Sequence, residues 1–182
     1  MKILNFWMVA FMALSLSTTL TSCSDDDEKK EETEMKTLTV DATAYNQWVY
    51  VNLKDGKTQT VTMEGSDDES AVTIDWQIAI HRYTEVKTNG GSVVKTDMTD
   101  MSKLTTIPTG GYVADESEQN ILVKFAMPPT ADCYVKSHCN TAMVWTEGSA
   151  MAGTLATTNN VFVLKCKDGT YAKLQFTDFA NA

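Results

Sequence analysis

From residue 37 onward the chain is a run of short segments that alternate apolar and polar residues or are rich in β-branched and aromatic ones, each soon closed by a turn signal, and that pattern points to β structure. Thr37-Leu38-Thr39-Val40 alternates, and Trp48 to Leu53 is rich in aromatic and β-branched residues. Asp55-Gly56 follows, and Thr58 to Met63 resumes the alternation. An Asp-Gly pair between two such runs signals a hairpin, because the turn needs positive φ, which these residues tolerate. The plan returns at Val161 to Leu164, Asp168-Gly169 and Tyr171 to Phe176. Between the hairpins, Val72 to Tyr83 alternates with Ile74, Trp76, Ile78 and Ile80 on one face, Asn89-Gly90-Gly91 is a turn, and Ile121 to Phe125 is a further strand. No segment longer than two turns shows a 3.6-residue period; 137–147 is the one weak helix candidate. The expectation is an all-β single domain of antiparallel sheets, sandwich or barrel-like.

The first 36 residues follow different rules. Lys2 precedes an apolar run from Ile3 to Leu16, too short for a membrane span of about 20 residues and proportioned like the core of an export signal. The run ends in Leu20-Thr21-Ser22-Cys23, which resembles a bacterial lipobox. Residues 1–22 are therefore expected to be a lipoprotein signal peptide and Cys23 the lipidated first residue. With each buried CH2 contributing about 0.8 kcal/mol, several acyl chains make a permanent membrane anchor. Residues 24–36 carry seven acids and three bases with almost nothing apolar. Together with Cys23 this stretch (23–36) reads as an acidic, disordered tether leading to a β domain at 37–182. Ser24-Asp25-Asp26-Asp27-Glu28 directly after the cysteine also resembles the acidic surface-export signal of some Gram-negative lipoproteins, which places the expected location on the outer face of the outer membrane.

Processing at Cys23 leaves 160 residues, enough for one domain with a real core, and removing Lys2 takes the formal charge from −9 to −10. With no Lys/Arg cluster, an acidic chain of this kind is not expected to bind nucleic acid. Cys133, Cys139 and Cys166 remain, an odd number that allows at most one disulfide in an oxidising compartment. Cys133 and Cys139 flank what reads as a short loop and can pair, with Cys166 an equal candidate; none of the spacings is that of a zinc site. The two histidines are His81 and His138. A Cys–His pairing of His138 with Cys139 or Cys133 lacks an orienting third group, and adjacent strand residues point to opposite faces. Phosphate loops, nucleophile elbows and His-Glu-x-x-His helices are missing from the sequence, and Asp75 reads as a polar residue at a strand start. No enzyme is expected.

Four strings then carry a resemblance. Asp41 to Tyr50 (DATAYNQWVY), Asp75 to Tyr83 (DWQIAIHRY) followed by Lys87 to Gly91, Ile107 to Tyr112 (IPTGGY), and the closing Asn160 to Val163, Asp168-Gly169 and Ala172 to Asp178 occur in the order seen in HmuY-type haem-binding lipoproteins. The chain resembles that family across 37–179. The resemblance implies an all-β, hand-like domain that holds haem between two finger-like extensions. It also implies capture of haem from host or competitor haemoproteins and delivery to a TonB-dependent outer-membrane receptor.

Six-coordinate haem iron takes two opposed ligands, normally His or Met. The family's two histidines do not transfer: one position falls near Asp132 or Cys133, the other near Gly148. Some relatives are thought to use methionines, and Met127 and Met151 suit that role. Met151 lies in the small-residue loop Gly148-Ser149-Ala150-Met151-Ala152-Gly153, a poor place for a core side chain. Met127, before Pro128-Pro129, reads equally as a core residue closing a strand. His138 is the rival first ligand, and Met143 reads as ligand or core. His81 shares a strand face with Gln77 and Ala79 and falls in the family's structural strand, so it is expected to be a satisfied structural histidine. The alternative function is a surface adhesion or interaction lipoprotein that keeps the fold and binds no haem.

Overall fold

The structure, a computed structural model, describes residues 4–11 and 35–179. The rest of the expected signal peptide, the lipobox with Cys23 and the tether up to residue 34 lie outside the described residues. Two sheets form the body. The first has six strands in the order β2 (Met35–Val40), β1 (Leu4–Phe11), β14 (Tyr171–Phe179), β13 (Val161–Lys165), β7 (Ser92–Lys95) and β8 (Val113–Ala114). The second has four, β4 (Thr58–Thr62), β3 (Gln47–Val51), β5 (Ile78–His81) and β6 (Glu85–Thr88). Every pairing is antiparallel, and helical structure among the described residues is limited to two 3-10 turns, Met101–Lys103 and Ala131–Cys133. The all-β expectation holds, and both Asp-Gly hairpins form, β3–β4 and β13–β14, with Gly56 and Gly169 at positive φ.

The inner strands of the four-stranded sheet, β3 and β5, are buried on both faces, while its edge strand β4 stays partly exposed. Val49, Val51, Ile78, Ile80 and Val86 pack against Phe162, Leu164, Leu174 and Phe176 of the six-stranded sheet. From the other face, Trp48, Tyr50 and Ala79 meet Ile121, Val135 and Cys139 of a two-stranded ribbon, β9 (Ser117–Leu122) with β10 (Tyr134–Cys139). Each fully buried large side chain contributes about 1.5–3 kcal/mol. A third, smaller core lies between the segment holding Met101 and Leu104 and the strand residues Val161 and Val163.

Three sequence expectations change. The alternation from Val72 to Tyr83 forms a strand only at Ile78–His81. Trp76 packs in the ribbon-side core with Tyr50, ring centroids 4.9 Å apart, while Ile78 and Ile80 face the other core. A strand covered on both sides has no polar face, so alternation does not report its orientation. The helix candidate 137–147 is instead the end of β10, an Asx turn and the start of β11 (Thr146–Glu147). Asn140 causes the break: its main-chain N–H donates to Val86 O at 2.8 Å, and its side-chain oxygen accepts from Ala142 N at 3.1 Å.

Cys133 and Cys139 sit at the two ends of an extended segment, roughly 20 Å apart at the rise of a strand, beyond any disulfide's reach. All three described cysteines are free thiols. A native-state thiol titration should leave the buried Cys133 and Cys139 unmodified, and denaturant should expose both; modification of either before unfolding would contradict this packing. Between the sheets the chain turns at Gly91, where a Cβ would lie 2.8 Å from Lys165 O, so this crossing admits only glycine.

Candidate ligand site between the two fingers

Two extensions leave the body beside the β5–β6 turn. The first finger is the β9–β10 ribbon, whose tip is residues 123–133. The second is the short hairpin of β11 and β12 (Ala156–Thr157), with the loop 148–155 at its end. Each is rooted differently. The first stands on Trp48, Tyr50 and Ala79. The second rises from Trp145, which stacks on Phe176 with ring centroids 4.6 Å apart.

The floor between them is built by His81-Arg82-Tyr83. His81 is buried, its Nδ1 3.2 Å from Glu85 Oε2 and its Nε2 2.6 Å from Tyr45 O. Both ring nitrogens are taken, which bears out the structural reading. Burial would raise the Glu85 carboxyl, but the hydrogen bond and charge of His81 outweigh it and hold it below the ordinary value. Arg82 sits at φ 50°, and its side chain folds back over the 42–45 loop. Its main-chain N–H donates to Ala42 O, and its guanidinium donates to Thr43 O and to the Tyr83 hydroxyl. The guanidinium lies 3.6 Å from the Tyr45 ring centroid and 4.6 Å from that of Tyr83.

This strip reaches both fingers. Phe125, exposed on the first finger's tip, lies 6.2 Å from Tyr45 between ring centroids. Thr146, at the foot of the second, donates its hydroxyl to Tyr83 O at 3.3 Å. Phe125, Tyr45, Arg82 and Tyr83 thus form a continuous aromatic and cationic surface from one finger to the other. Sequence reading assigned none of these four to the site. The signal was present, since Tyr45 and the Arg82-Tyr83 pair each lie in one of the quoted strings, but their contact spans 37 positions and only the fold shows it.

The expected site residues fall as follows. Met127 is on the first finger's tip, 77% exposed, so it closes no core. Met151 is 97% exposed at the apex of the second finger's loop. That loop is held by Thr154 N donating to Ser149 O, Ser149 N to the Thr154 hydroxyl and Gly153 N to Ala150 O. Met143 is buried in the main core. His138 is exposed on β10, about 13 Å along the strand from Tyr134 and the finger's tip. It lines a separate cleft of about 440 Å³ with Asp67, Lys87 and Lys136. Neither position implied for a histidine offers a donor to iron. Asp132 is bridged to Lys124 at 3.1 Å and Cys133 is buried. At Gly148, φ is +87° and a Cβ would lie 2.2 Å from Thr154 O. Gly148→Ala should therefore open the 148–154 turn, and limited proteolysis should cut there faster than in the unaltered protein; unchanged cleavage would show that the loop tolerates a side chain.

The polar cleft is a latch. Lys87, only 4% exposed in its side chain, contacts Asp67 at 2.8 Å and Glu69 at 2.7 Å, and lies 4.5 Å from the Trp48 ring centroid. Ser137 of the first finger donates to the same Asp67 carboxylate at 2.5 Å. Burial alone would lower the Lys87 ammonium, but its hydrogen bonds to Asp67 and Glu69 prevail and raise it. Burial raises the neighbouring Asp115 carboxyl despite hydrogen bonds from Thr88 and Asn140. Among the described residues no group of three or more His, Cys, Asp or Glu side chains is arranged to hold a metal ion.

Fold and site together define an all-β domain with two short fingers joined by a strip of aromatic rings and a guanidinium. The chain belongs to the HmuY family: the family described as HmuY protein matches it over residues 44–182. No curated protein matches it. Among solved structures, one from Bacteroides vulgatus, provisionally described as an HmuY-like haem-binding protein, is 31% identical, with TM-score 0.65, covering 79% of this chain and 81% of its own. The apo HmuY analogue of Tannerella forsythia is 30% identical at TM-score 0.63, covering 76% of this chain and 83% of its own. A Bacteroides fragilis protein, provisionally named a lipoprotein, is 27% identical at TM-score 0.59, covering 75% and 85%.

Proposed function

We propose that this protein binds haem between its two fingers, with Met127 and Met151 as the iron ligands. The carrying observation is that each finger presents an exposed thioether at its end, and that the floor joining the fingers is made of Phe125, Tyr45, Arg82 and Tyr83. The residues fit the group. Thioethers are soft, neutral donors to iron, aromatic rings offer faces to a porphyrin, and the guanidinium suits its carboxylates in an otherwise acidic chain. When bound, the haem supplies iron for uptake; the protein binds, orients and releases it, and performs no reaction on it. Processing at Cys23 removes residues 1–22, and with them strand β1 (Leu4–Phe11), and anchors the protein by its lipid to the outer membrane, displayed at the cell surface by the acidic tether. There it takes haem from host or competitor haemoproteins and passes it to a TonB-dependent receptor. The structure named as haem-binding and the one named as a lipoprotein support these two halves of the reading.

An absorbance titration with haem, oxidised and then reduced, tests it. The Soret band should shift on addition of protein, and binding should tighten on reduction, because thioethers favour ferrous iron. No spectral change in either state would leave the adhesion reading in its place.

A further inference from the structure

The two proposed ligands are also the most solvent-exposed methionines of those whose exposure is described. Met151 and Met127 stand at 97% and 77%, Met98 follows at 41%, and Met63, Met101 and Met143 are buried. Peroxide oxidises a thioether without prior ionisation, so access to the sulfur decides which methionine reacts first. We propose that Met127 and Met151 form an oxidant-operated switch on the haem site, in which peroxide converts both to sulfoxides and turns haem capture off. The switch rests on the reading that these two sulfurs ligate the iron.

The chemistry is balanced. A sulfur lone pair attacks one peroxide oxygen, the O–O bond breaks, that oxygen stays on sulfur and the other leaves as water. The sulfur is oxidised by two electrons and the peroxide reduced by two. The product has replaced a soft donor with a polar S–O group, which no longer suits the iron. A dithiol-dependent sulfoxide reductase pair reverses the step, the oxygen leaving as water and the dithiol closing to a disulfide. The protein's own thiols do not intercept the oxidant. Cys133 and Cys139 are buried, and burial pushes the Cys139 thiol up to about 11 and raises Cys166 as well, so little reactive thiolate forms. Because both methionines stand clear of the cores, their oxidation leaves the fold intact.

The test is a haem absorbance titration of the protein untreated, after limited hydrogen peroxide, and after peroxide followed by the reductase pair. Peptide mass analysis locates each added oxygen, and thermal melting monitors the fold. Among the methionines whose exposure is described, the first oxygens should fall on Met127 and Met151, and melting should not move. Apparent haem affinity should drop at least about tenfold, the scale on which even supporting residues of a metal site act, and return on repair. Met98→Leu should behave as the unaltered protein does. If the untreated protein shows no Soret shift, the haem reading itself falls and the switch with it. If it binds haem but Met63, Met98, Met101 or Met143 oxidises first, or binding persists with both sulfoxides in place, or repair fails to restore it, the switch is wrong while haem binding stands.

Discussion

Met151→Ala is expected to abolish the Soret shift on adding haem while leaving the melting temperature unchanged. The side chain is almost wholly in solvent at the apex of a loop held by main-chain and Ser149/Thr154 hydrogen bonds, none of which uses the thioether. Truncating such a side chain changes stability by no more than about 0.5 kcal/mol, so any large effect on binding must come from the lost donor. Met127→Ala should act in the same direction. Met98→Ala, which alters a partly exposed methionine outside the fingers, should change nothing. A Met151→Ala protein that still shifts the Soret band as before would remove Met151 from the ligand pair.

Lys87→Met should cause the largest loss of stability. Removing the ammonium leaves the Asp67 carboxylate, little exposed to water, with the Ser137 hydroxyl but no cation. Breaking a buried pair from one side costs about 3–5 kcal/mol. For a domain of this size that lowers the melting temperature by roughly 10 °C. Glu69 is half exposed and turns to solvent at little cost. The double change Lys87→Met with Asp67→Asn should recover most of the loss, since the amide oxygen still accepts from Ser137 and no bare charge remains. Lys87 also sets a pH signature. Its folded-state value lies above the ordinary 10.5, so its contribution is complete below pH 10.5 and fades as the pH climbs through the folded value. The gap between the unaltered protein and Lys87→Met should be constant at neutral pH and narrow only in strong alkali. A gap that closed below pH 10 would mean the ammonium is not what holds the latch.

The two Asp-Gly hairpins were legible because their strands either alternate or are rich in aromatic and β-branched residues, and each turn carries the residue its φ requires. The 72–83 run was not. Gln77 caps Leu53 N with its side-chain oxygen at 2.7 Å and fixes the approach to β5 as a loop, which no periodicity announces. The second finger's loop was legible in part, because Met151 sits among small residues where a large apolar side chain is out of place; Met127 read equally as a core residue, and only the structure shows it exposed. The floor was not legible, since Tyr45, Arg82 and Phe125 are brought together only when β5 pairs with β3 and the ribbon docks. The Lys87–Asp67 pair was hidden for the same reason: in sequence both look like ordinary surface charges.

The double-sided burial of β3 and β5 places a different indole behind each finger. Trp48 lies under the ribbon and Trp145 under the hairpin, each within 1% of complete burial and on opposite sides of β3 and β5. Fluorescence from the two, isolated by Trp→Phe replacement of the others, reports each digit separately. Lifting of the ribbon reddens Trp48 alone, loosening of the hairpin reddens Trp145 alone, and an iron porphyrin held between them quenches both.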